Sequence, residues 1–239
     1  MTGTDLYKDL PGDSDASDSL ALADRLVVLQ EDAVHHLPHE HRRKTRVIYQ
    51  SAARLRPAHK AGSRLNCIFV GHLREEKDPV TVLRAWELLA TDSAVYLTIV
   101  GGGLDQALAS AVRESEQREP RLRWVGERPH AWARQAIKRA HLLIVSSLME
   151  GGANVIVEAI TAGTPVLASR MSGNLGMLGR GYTGYFPVGD ASRLARLVQR
   201  CIDEPQYYRQ LAARCRGRRA LFAPSRERDA LVSLLRELL

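Results

Sequence analysis

The sequence predicts an α/β protein built on a doubly wound parallel sheet. From Leu65 onward, short apolar runs of strand length alternate with longer stretches that repeat apolar residues at helical spacing. The apolar runs are continuous rather than interrupted at every second residue, which indicates strands that are covered on both faces. Strands that alternate with helices in this way are typical of a parallel sheet, and such sheets bind ligands at the carboxyl ends of their strands.

The predicted elements follow one another with short connections. Strands are expected at residues 65–71, 95–100, 121–125, 142–145, 165–168 and 185–188. Only a short turn is expected between the last two of these strands. Helices are expected at 79–89, 104–117, 131–139, 191–203, 205–216 and 226–239, with a further helix that stops at Gly163 because glycine favours the left-handed conformation at helix ends. The residues that follow the strands at their carboxyl ends, where a ligand is expected, are Gly71, Gly101, Gly126 and Glu150.

The first sixty residues have a different pattern. They contain a predicted helix at 18–23 and two short strands at 25–29 and 46–49, too few for an independent parallel domain. Residues 53–63, rich in Arg, Ala, Pro and Gly, are predicted to form a linker. We therefore expect a partial N-terminal domain at 1–58, a main domain at 59–218 and a final helical segment at 219–239.

The composition excludes several classes of protein. The chain of 239 residues has no apolar run long enough to span a membrane, and its start lacks the basic and apolar regions of a signal peptide. Its cysteines, Cys67, Cys201 and Cys215, lack metal-binding or redox spacing, and Cys67 lies within a predicted buried strand. These features predict a cytoplasmic protein with reduced thiols.

The net charge of +7 and a group of histidines suggest two other functions. The basic residues are spread over many helices without interleaved aromatic residues, which argues against nucleic acid and suits an enzyme with phosphorylated substrates. Pro38 interrupts the histidine-rich segment, and no cysteine or carboxylate set accompanies it. We expect no nucleic-acid partner and no metal, and we interpret as a surface turn the segment containing His35, His36, His39 and His41.

The most informative motif is a pair of glutamates, Glu150 and Glu158, around a glycine turn and a helix start. Gly151 and Gly152 allow the backbone to approach a ligand closely, and the free amides that open the helix favour an anion such as a diphosphate. Both carboxylates can face one crevice and accept hydrogen bonds from sugar hydroxyls. An ordinary glycine turn with solvated glutamates is the alternative, but the polar Asn154 in an otherwise apolar helix start favours a binding site.

This motif resembles the Glu-x7-Glu signature of the retaining group 1 glycosyltransferases, a family with the GT-B fold. The resemblance implies that residues 59–218 are the nucleotide-sugar-binding half of such a protein. It implies that Glu150 contacts the donor sugar, that Glu158 holds the ribose hydroxyls, and that backbone amides cradle the diphosphate. The implied substrate-binding residues in the motif are Glu150, Gly151, Gly152, Ala153, Asn154, Val155 and Glu158.

A second stretch, residues 70–78, resembles the family's loop whose Arg and Lys neutralise the departing diphosphate. Lys77 matches the lysine, whereas His72 stands where the family usually has arginine, so the charge there depends on pH or on Arg74. A polar helix-entry loop without a ligand is the alternative. The resemblance implies that Lys77 and Glu150 are catalytic and that substrate is also contacted by Gly71, His72, Arg74 and Lys77.

Three further segments match less specific parts of the family pattern. Residues 124–130 correspond to the loop beside the nucleotide base, which implies a contact near Arg128. His130 either belongs to that contact or simply begins a helix. The glycines at 101–103 are expected to form mainly a tight turn, and the segment 184–190 is expected to be architectural, with Asp190 capping the next helix.

Residues 2–7, 23–30, 70–79 and 149–159 together resemble the selenosugar synthase branch of the family. This resemblance implies transfer of a sugar, typically N-acetylglucosamine, from a UDP donor to selenophosphate, although composition itself indicates no selenium chemistry. It places Thr4 and Asp5 in a substrate-binding Gly-x-Asp turn. Thr2 replaces a histidine that many members have before that glycine, and residues 172–175 lack the usual glutamate near the sugar.

The strand expected before the Gly-x-Asp turn is absent from the sequence. We therefore expect the chain to begin in the middle of the N-terminal domain, because of either a shortened protein or a misassigned start. On this interpretation the 239-residue chain binds a UDP-sugar but transfers the sugar poorly, since the chemistry of this fold takes place between two domains.

The predicted function is transfer of a sugar from a UDP-sugar to a small anionic acceptor, selenophosphate, without a cofactor. Two alternatives stay open. One is a transferase of the same family that acts on a hydroxyl acceptor. The other is a donor-binding module that has no catalysis of its own.

Overall fold

The computed structural model describes residues 1, 3, 5–9, 13–60, 64–90 and 94–239. Their strands belong to two sheets. The strands are β1 (Leu26–Val28), β2 (Thr45–Val47), β3 (Leu65–Val70), β4 (Val95–Val100), β5 (Leu122–Trp124), β6 (Leu142–Val145), β7 (Val166–Ser169) and β8 (Tyr185–Phe186).

Helices connect the strands and cover them. The α-helices are α1 (Ser14–Leu22), α2 (His39–Arg42), α3 (Pro79–Glu87), α4 (Gln106–Arg118), α5 (His130–Arg139), α6 (Asn154–Ala162), α7 (Ser172–Leu178), α8 (Ala191–Asp203), α9 (Pro205–Arg218) and α10 (Pro224–Arg236). A π-helical turn occupies Asp5–Asp9, and 3-10 turns occupy Glu31–His36, Glu75–Lys77 and Arg219–Phe222. No helix in the described ranges is long and apolar enough to cross a bilayer.

The larger sheet is parallel and doubly wound, which confirms the predicted fold class. Its strand order is β5-β4-β3-β6-β7-β8, so the chain moves outward from β3 to β5 and then returns to the other side of β3. The helices separate accordingly: α3 packs against α4 and α8, whereas α6 packs against α5 and α9. The reversal between β3 and β6 is the topological switch point, where ligands bind at the carboxyl ends of the strands.

The central strands are buried along their length, as their continuous apolar runs predict. All four residues of β6 and of β7 are buried, and β6 pairs with β3 through Ile68 and Leu143. Cys67 in β3 is a buried free thiol, and burial raises its pKa well above the usual value. The prediction of a small buried hydrophobe at this position is confirmed.

The N-terminal residues form a separate small layer. β1 and β2 pair in parallel, and Leu6, Leu20 and Val28 contribute to a core of their own. The predicted helix at 18–23 begins earlier, at Ser14, because Asp13 Oδ1 accepts a hydrogen bond of 2.8 Å from the Asp15 amide and caps the helix.

The histidine segment is helical rather than the predicted surface turn. His35 and His36 end a 3-10 turn, and His39 and His41 lie in α2. Pro38 separates the two pieces as the residue before α2, a position where proline needs no backbone donor. Within the described residues, no group of three or more His, Cys, Asp or Glu side chains could hold a metal ion.

A helix, α7, replaces the short turn predicted after β7. The helix contains Gly173 and Gly176, although glycine is a poor helix former. Both glycines are required by packing: a Cβ at Gly176 would collide with the buried Gln30 side chain, and one at Gly173 would collide with the Glu150 carbonyl. Tertiary contacts therefore decide this helix.

The predicted linker is irregular over residues 53–60, and residues 61–63 lie outside the described part of the chain. Its start is tied to the C-terminal elements, because the Ser51 amide donates to Glu227 Oε2 at 2.9 Å. The last helix, predicted at 226–239, occupies Pro224–Arg236. Just beyond it, Glu237 forms ion pairs with Arg46 at 2.6 Å and Arg25 at 3.2 Å, which join the C-terminus to the N-terminal layer.

Candidate functional site

The Glu150 turn follows β6 at the carboxyl edge of the sheet. Glycines from distant parts of the chain hold it on two sides. A Cβ at Gly3 would lie 2.5 Å from the Gly151 nitrogen, and a Cβ at Gly173 would overlap the Glu150 carbonyl oxygen. The turn therefore sits between the N-terminal layer and α7, and a side chain at either glycine would displace it.

Gly173→Ala is expected to destabilise the fold by about 1–3 kcal/mol, because the added methyl group overpacks against backbone. Gly217→Ala is the matched control: Gly217 also lies in a helix, α9, but a Cβ there meets no atom within 4 Å. We expect that variant to gain about 0.5–1 kcal/mol from helix propensity. Urea unfolding of both variants measures the difference, and equal effects would contradict the packing argument.

Lys77 and Glu150 form an ion pair in the switch-point crevice. Their side chains are 17% and 13% exposed, so the attraction is only weakly screened by water. Lys77 reaches Glu150 from the turn after β3, where its aliphatic chain passes Gly71. The structure thus brings together the two residues that the sequence predicts to be catalytic, from loops 73 positions apart.

Two serines that sequence reasoning missed hold this ion pair in place. Ser147 Oγ donates to Glu150 Oε1 at 2.8 Å, and Ser146 Oγ lies 2.7 Å from the Lys77 carbonyl as donor. Ser147 is itself tethered, since Ser169 Oγ donates to its carbonyl at 2.6 Å. Their position directly after β6 could have identified them from the sequence, because polar residues at the carboxyl end of a central strand point into the crevice.

Glu158 lies one helix turn and a half into α6 and is 8% exposed. Its Oε1 atom is 2.5 Å from Nε2 of His130, the first residue of α5. The sequence left His130 open between a ligand contact and a helix start. The structure shows that it begins a helix and that its ring also contacts the predicted ribose-binding carboxylate.

The start of α6 presents backbone amides to the crevice. Ala153 is its N-cap residue, and no side chain caps the helix. The first amides of a helix lack partners within the helix, and together with the helix dipole they favour a bound anion. Gly152, just before the cap, lies where a Cβ would be 2.8 Å from Leu29 Cβ, so the N-terminal layer closes over the turn. Asn154 and Val155 are the first residues of the helix.

The two glutamates line two adjoining cavities. One, of about 300 Å³, is lined by Glu150, Gly151, Gly152, Arg74 and Asn154 among others. The other, of about 370 Å³, is lined by Glu158, His130 and Arg134. Both include Gln50 and Asn154, so the helix start lies between a Glu150 side and a Glu158 side.

Three other residues that the sequence predicts to contact substrate, His72, Arg128 and Asp5, do not line these two cavities. His72 is exposed, and its Nδ1 accepts from the Gly102 amide at 3.1 Å. Arg128 is exposed, with its guanidinium 5.6 Å from the Trp132 ring centre. Asp5 lines a different cavity, beside Asp13. Thr4 lies outside the described residues.

The residues at 101–103 form the expected tight turn. Gly101 has a φ of 147°, and a Cβ there would collide with the Gly71 carbonyl. Asp190 caps α8 as predicted, its Oδ1 accepting from the Arg193 amide at 2.7 Å. Both segments are architectural supports of the crevice.

Comparison with known proteins identifies the family to which this chain is similar. The model of the family described as "Glycosyl transferases group 1" matches residues 53–218. A Glycosyltransferase 1 domain-containing protein 1 from Xenopus tropicalis is 27% identical over 158 residues, which cover 65% of this chain and 45% of the relative. N-acetyl-alpha-D-glucosaminyl L-malate synthase from Bacillus anthracis is 23% identical over 150 residues, covering 62% and 39%.

Solved structures show the same architecture. The Anabaena HepE protein, crystallised in complex with UDP, superposes with a TM-score of 0.84 at 17% identity, over 98% of this chain and 71% of HepE. The fold matches GT-B glycosyltransferase structures, as predicted. The matched part of the chain spans less than half the length of the two curated relatives above. The family model covers more than half of the residues of this chain, and the chain therefore belongs to the group 1 glycosyltransferases.

Proposed function

We propose that the chain binds a UDP-sugar in the two adjoining cavities and promotes transfer of the sugar. One observation carries this proposal: Lys77 pairs with Glu150, and Glu150 and Glu158 line two cavities that share Asn154, the first residue of the uncapped helix α6. A cation, two carboxylates and free amides match the three parts of such a donor, which are a diphosphate, a sugar and a ribose. The UDP in the HepE structure supports the choice of nucleotide.

Each group has a distinct task in this proposal. Glu158 exchanges the contact between its Oε1 and His130 Nε2 for a hydrogen bond from a ribose hydroxyl. Glu150 faces the sugar, and the amides of Asn154 and Val155 hold the diphosphate. Lys77 leaves Glu150 for the diphosphate as negative charge develops there during bond cleavage, which stabilises the transition state.

For the acceptor we propose selenophosphate, with N-acetylglucosamine as the transferred sugar. The support is the sequence resemblance of residues 2–7, 23–30, 70–79 and 149–159 to selenosugar synthases and, for the sugar, the glucosaminyl specificity in the name of the Bacillus anthracis relative. The bond between the anomeric carbon and the diphosphate oxygen breaks, and UDP leaves with the electron pair. A bond between that carbon and selenium forms, and no protein nucleophile is needed.

Mass spectrometry of products tests this proposal. The chain is incubated with UDP-N-acetylglucosamine and either selenophosphate or a hydroxyl acceptor such as L-malate. A selenosugar product with release of UDP is the expected result. A product only with the hydroxyl acceptor overturns selenophosphate but keeps the transferase, and binding of UDP without any product supports a donor-binding module. Absence of UDP binding by calorimetry overturns the whole proposal.

His130→Ala is expected to tighten UDP binding about 2- to 10-fold, because Glu158 no longer has to give up a hydrogen bond before it accepts the ribose. Calorimetric titration with UDP measures this. The exposed His72, which contacts Gly102 rather than Glu158, offers the control: His72→Ala should not tighten binding. Weaker UDP binding by the His130 variant would show that His130 itself holds the nucleotide.

A further inference from the structure

A second cavity lies at the opposite edge of the main sheet. Its volume is about 630 Å³, and its wall includes Leu65 at the start of β3, Ala94 before β4 and His141 before β6. Those positions are the amino ends of the strands, whereas Lys77 and Glu150 lie at the carboxyl ends. A six-residue strand separates the two edges by roughly 20 Å, at about 3.3 Å per residue. The cavity is therefore no part of the glutamate crevice.

The Lys60 side chain lines this cavity. Lys60 Nζ donates to Thr164 Oγ1 at 3.1 Å. The Thr164 hydroxyl is fully buried and donates its own proton to the Ile137 carbonyl at 2.7 Å, so toward Lys60 it acts only as an acceptor. No Asp or Glu occurs among the described residues that line the cavity. Burial lowers the pKa of Lys60 to about 8.

Among the described residues of the lining, the other titratable groups do not compensate the charge of Lys60. Cys201 on α8 and Tyr208 on α9 stay neutral, because burial raises the pKa of each to about 12. The remaining charged or titratable neighbours are potential cations. Arg219 lies beside Gly163, one of the lining residues, and the lining also contains His59, Arg64 and His141.

Much of the rest of the wall is apolar. Its apolar part is formed mainly by Leu65, Ala94, Ile202, Pro205 and Ala212. A cavity of this size with a largely apolar wall and a few convergent polar groups is typical of small-molecule sites. A ligand that fits must supply one negative charge for Lys60 and an apolar body for the wall.

We propose that this cavity binds an amphipathic monoanion, an aliphatic carboxylate whose head pairs with Lys60 and whose chain packs against Leu65, Ala94 and Ile202. A carboxylate regains the counter-charge that Lys60 lacks, and the apolar chain is removed from water. A nucleoside diphosphate is the wrong occupant, because its ribose hydroxyls would face the apolar side chains of Leu65, Ala94 and Ile202. The site is independent of the UDP-sugar proposal.

Binding is expected to depend on pH in a defined direction. The carboxylate pairs with protonated Lys60, so complex formation raises the pKa of that amine above its value of about 8 in the free protein. Below pH 8 the amine is already charged and affinity is near its maximum. Above pH 8 a proton must be taken up on binding, and affinity falls by up to about tenfold per pH unit.

Isothermal titration with decanoate below its micellar concentration tests the site. We expect binding at pH 7 that weakens at pH 9, and a loss of about tenfold or more in Lys60→Gln, which keeps a polar side chain but removes its charge. Decanol lacks the negative charge, and acetate lacks the long apolar chain. Both should bind at least tenfold more weakly than decanoate. Glu158→Ala should bind decanoate like the parent chain.

Three results would overturn the proposal. The first is equal decanoate binding by the parent chain and Lys60→Gln, with the variant shown to be folded by its thermal unfolding. The second is equal affinity for decanol and decanoate. The third is competition between decanoate and UDP, which would place both in the glutamate crevice. Failure of UDP binding alone would leave this site untouched and would contradict only the transferase proposal.

Discussion

Lys77→Ala is expected to lower the turnover of the sugar donor by about 100- to 1,000-fold, the size of effect seen when a group that stabilises transition-state charge is removed. The physical reason is the position of the ammonium group, which pairs with Glu150 in a crevice that screens it only weakly from other charges. Charge grows on the diphosphate as the sugar leaves, so the contribution of Lys77 is larger in the transition state than in the bound donor.

Steady-state kinetics with the donor and the accepted substrate separate the two parts of this prediction. The kcat value should fall much more than the KM value rises. Lys138→Ala is a suitable control, since Lys138 lies in α5 and, unlike Lys77, does not pair with Glu150. If the Lys77 variant shows only a raised KM, Lys77 is a uniform binding residue and its proposed role in charge stabilisation is wrong.

Glu158→Ala is expected to weaken UDP binding by about 10- to 100-fold, which corresponds to the roughly 1.5–3 kcal/mol of hydrogen bonds to a charged group. The carboxylate of Glu158 is almost buried. In the variant, water therefore does not replace it as an equally strong hydrogen-bond acceptor for the ribose hydroxyl. Glu150→Ala should leave UDP affinity nearly unchanged, because that carboxylate faces the sugar, which UDP lacks. It should instead weaken binding or turnover of the complete UDP-sugar.

Calorimetry with UDP and with the UDP-sugar on both variants checks this assignment. The two substitutions are chemically identical and eight residues apart, so each is the control of the other. An equal loss of UDP affinity in both variants would contradict the separate roles of the two glutamates. Thermal unfolding of the Glu150 variant shows whether loss of the pair with Lys77 disturbs the fold as well.

The sequence predicted most of the main sheet because local patterns carry that information. Strand β6 is a continuous apolar run and β3 and β4 are mostly apolar, and a run that is apolar on both faces is stable only between two layers of helices. The order of strands and helices then restricted the topology to a doubly wound sheet with its crevice at the carboxyl ends of the strands. Glu150 and Glu158 were found from their spacing around a glycine turn.

Helix α7 and the helical histidine segment were mispredicted for a common reason. Gly173 and Gly176 have low helix propensity, and only contacts with Glu150 and Gln30, distant in sequence, show why glycine is required there. Likewise, the helices around Pro38 depend on packing against the small N-terminal core. Propensity describes a residue's own neighbourhood, and tertiary contacts override it.

By itself, the sequence determined the fold class, the family resemblance and the two glutamates, since each depends on residues close together in the chain. Only the tertiary structure decided which side chains meet: Lys77 with Glu150, His130 with Glu158, and Lys60 with Thr164. These pairs are separated by 73, 28 and 104 positions, and their geometry depends on how strands and helices pack rather than on any local pattern. Desolvation has the same origin, because the burial that lowers the pKa of Lys60 is produced by helices that follow it far along the chain.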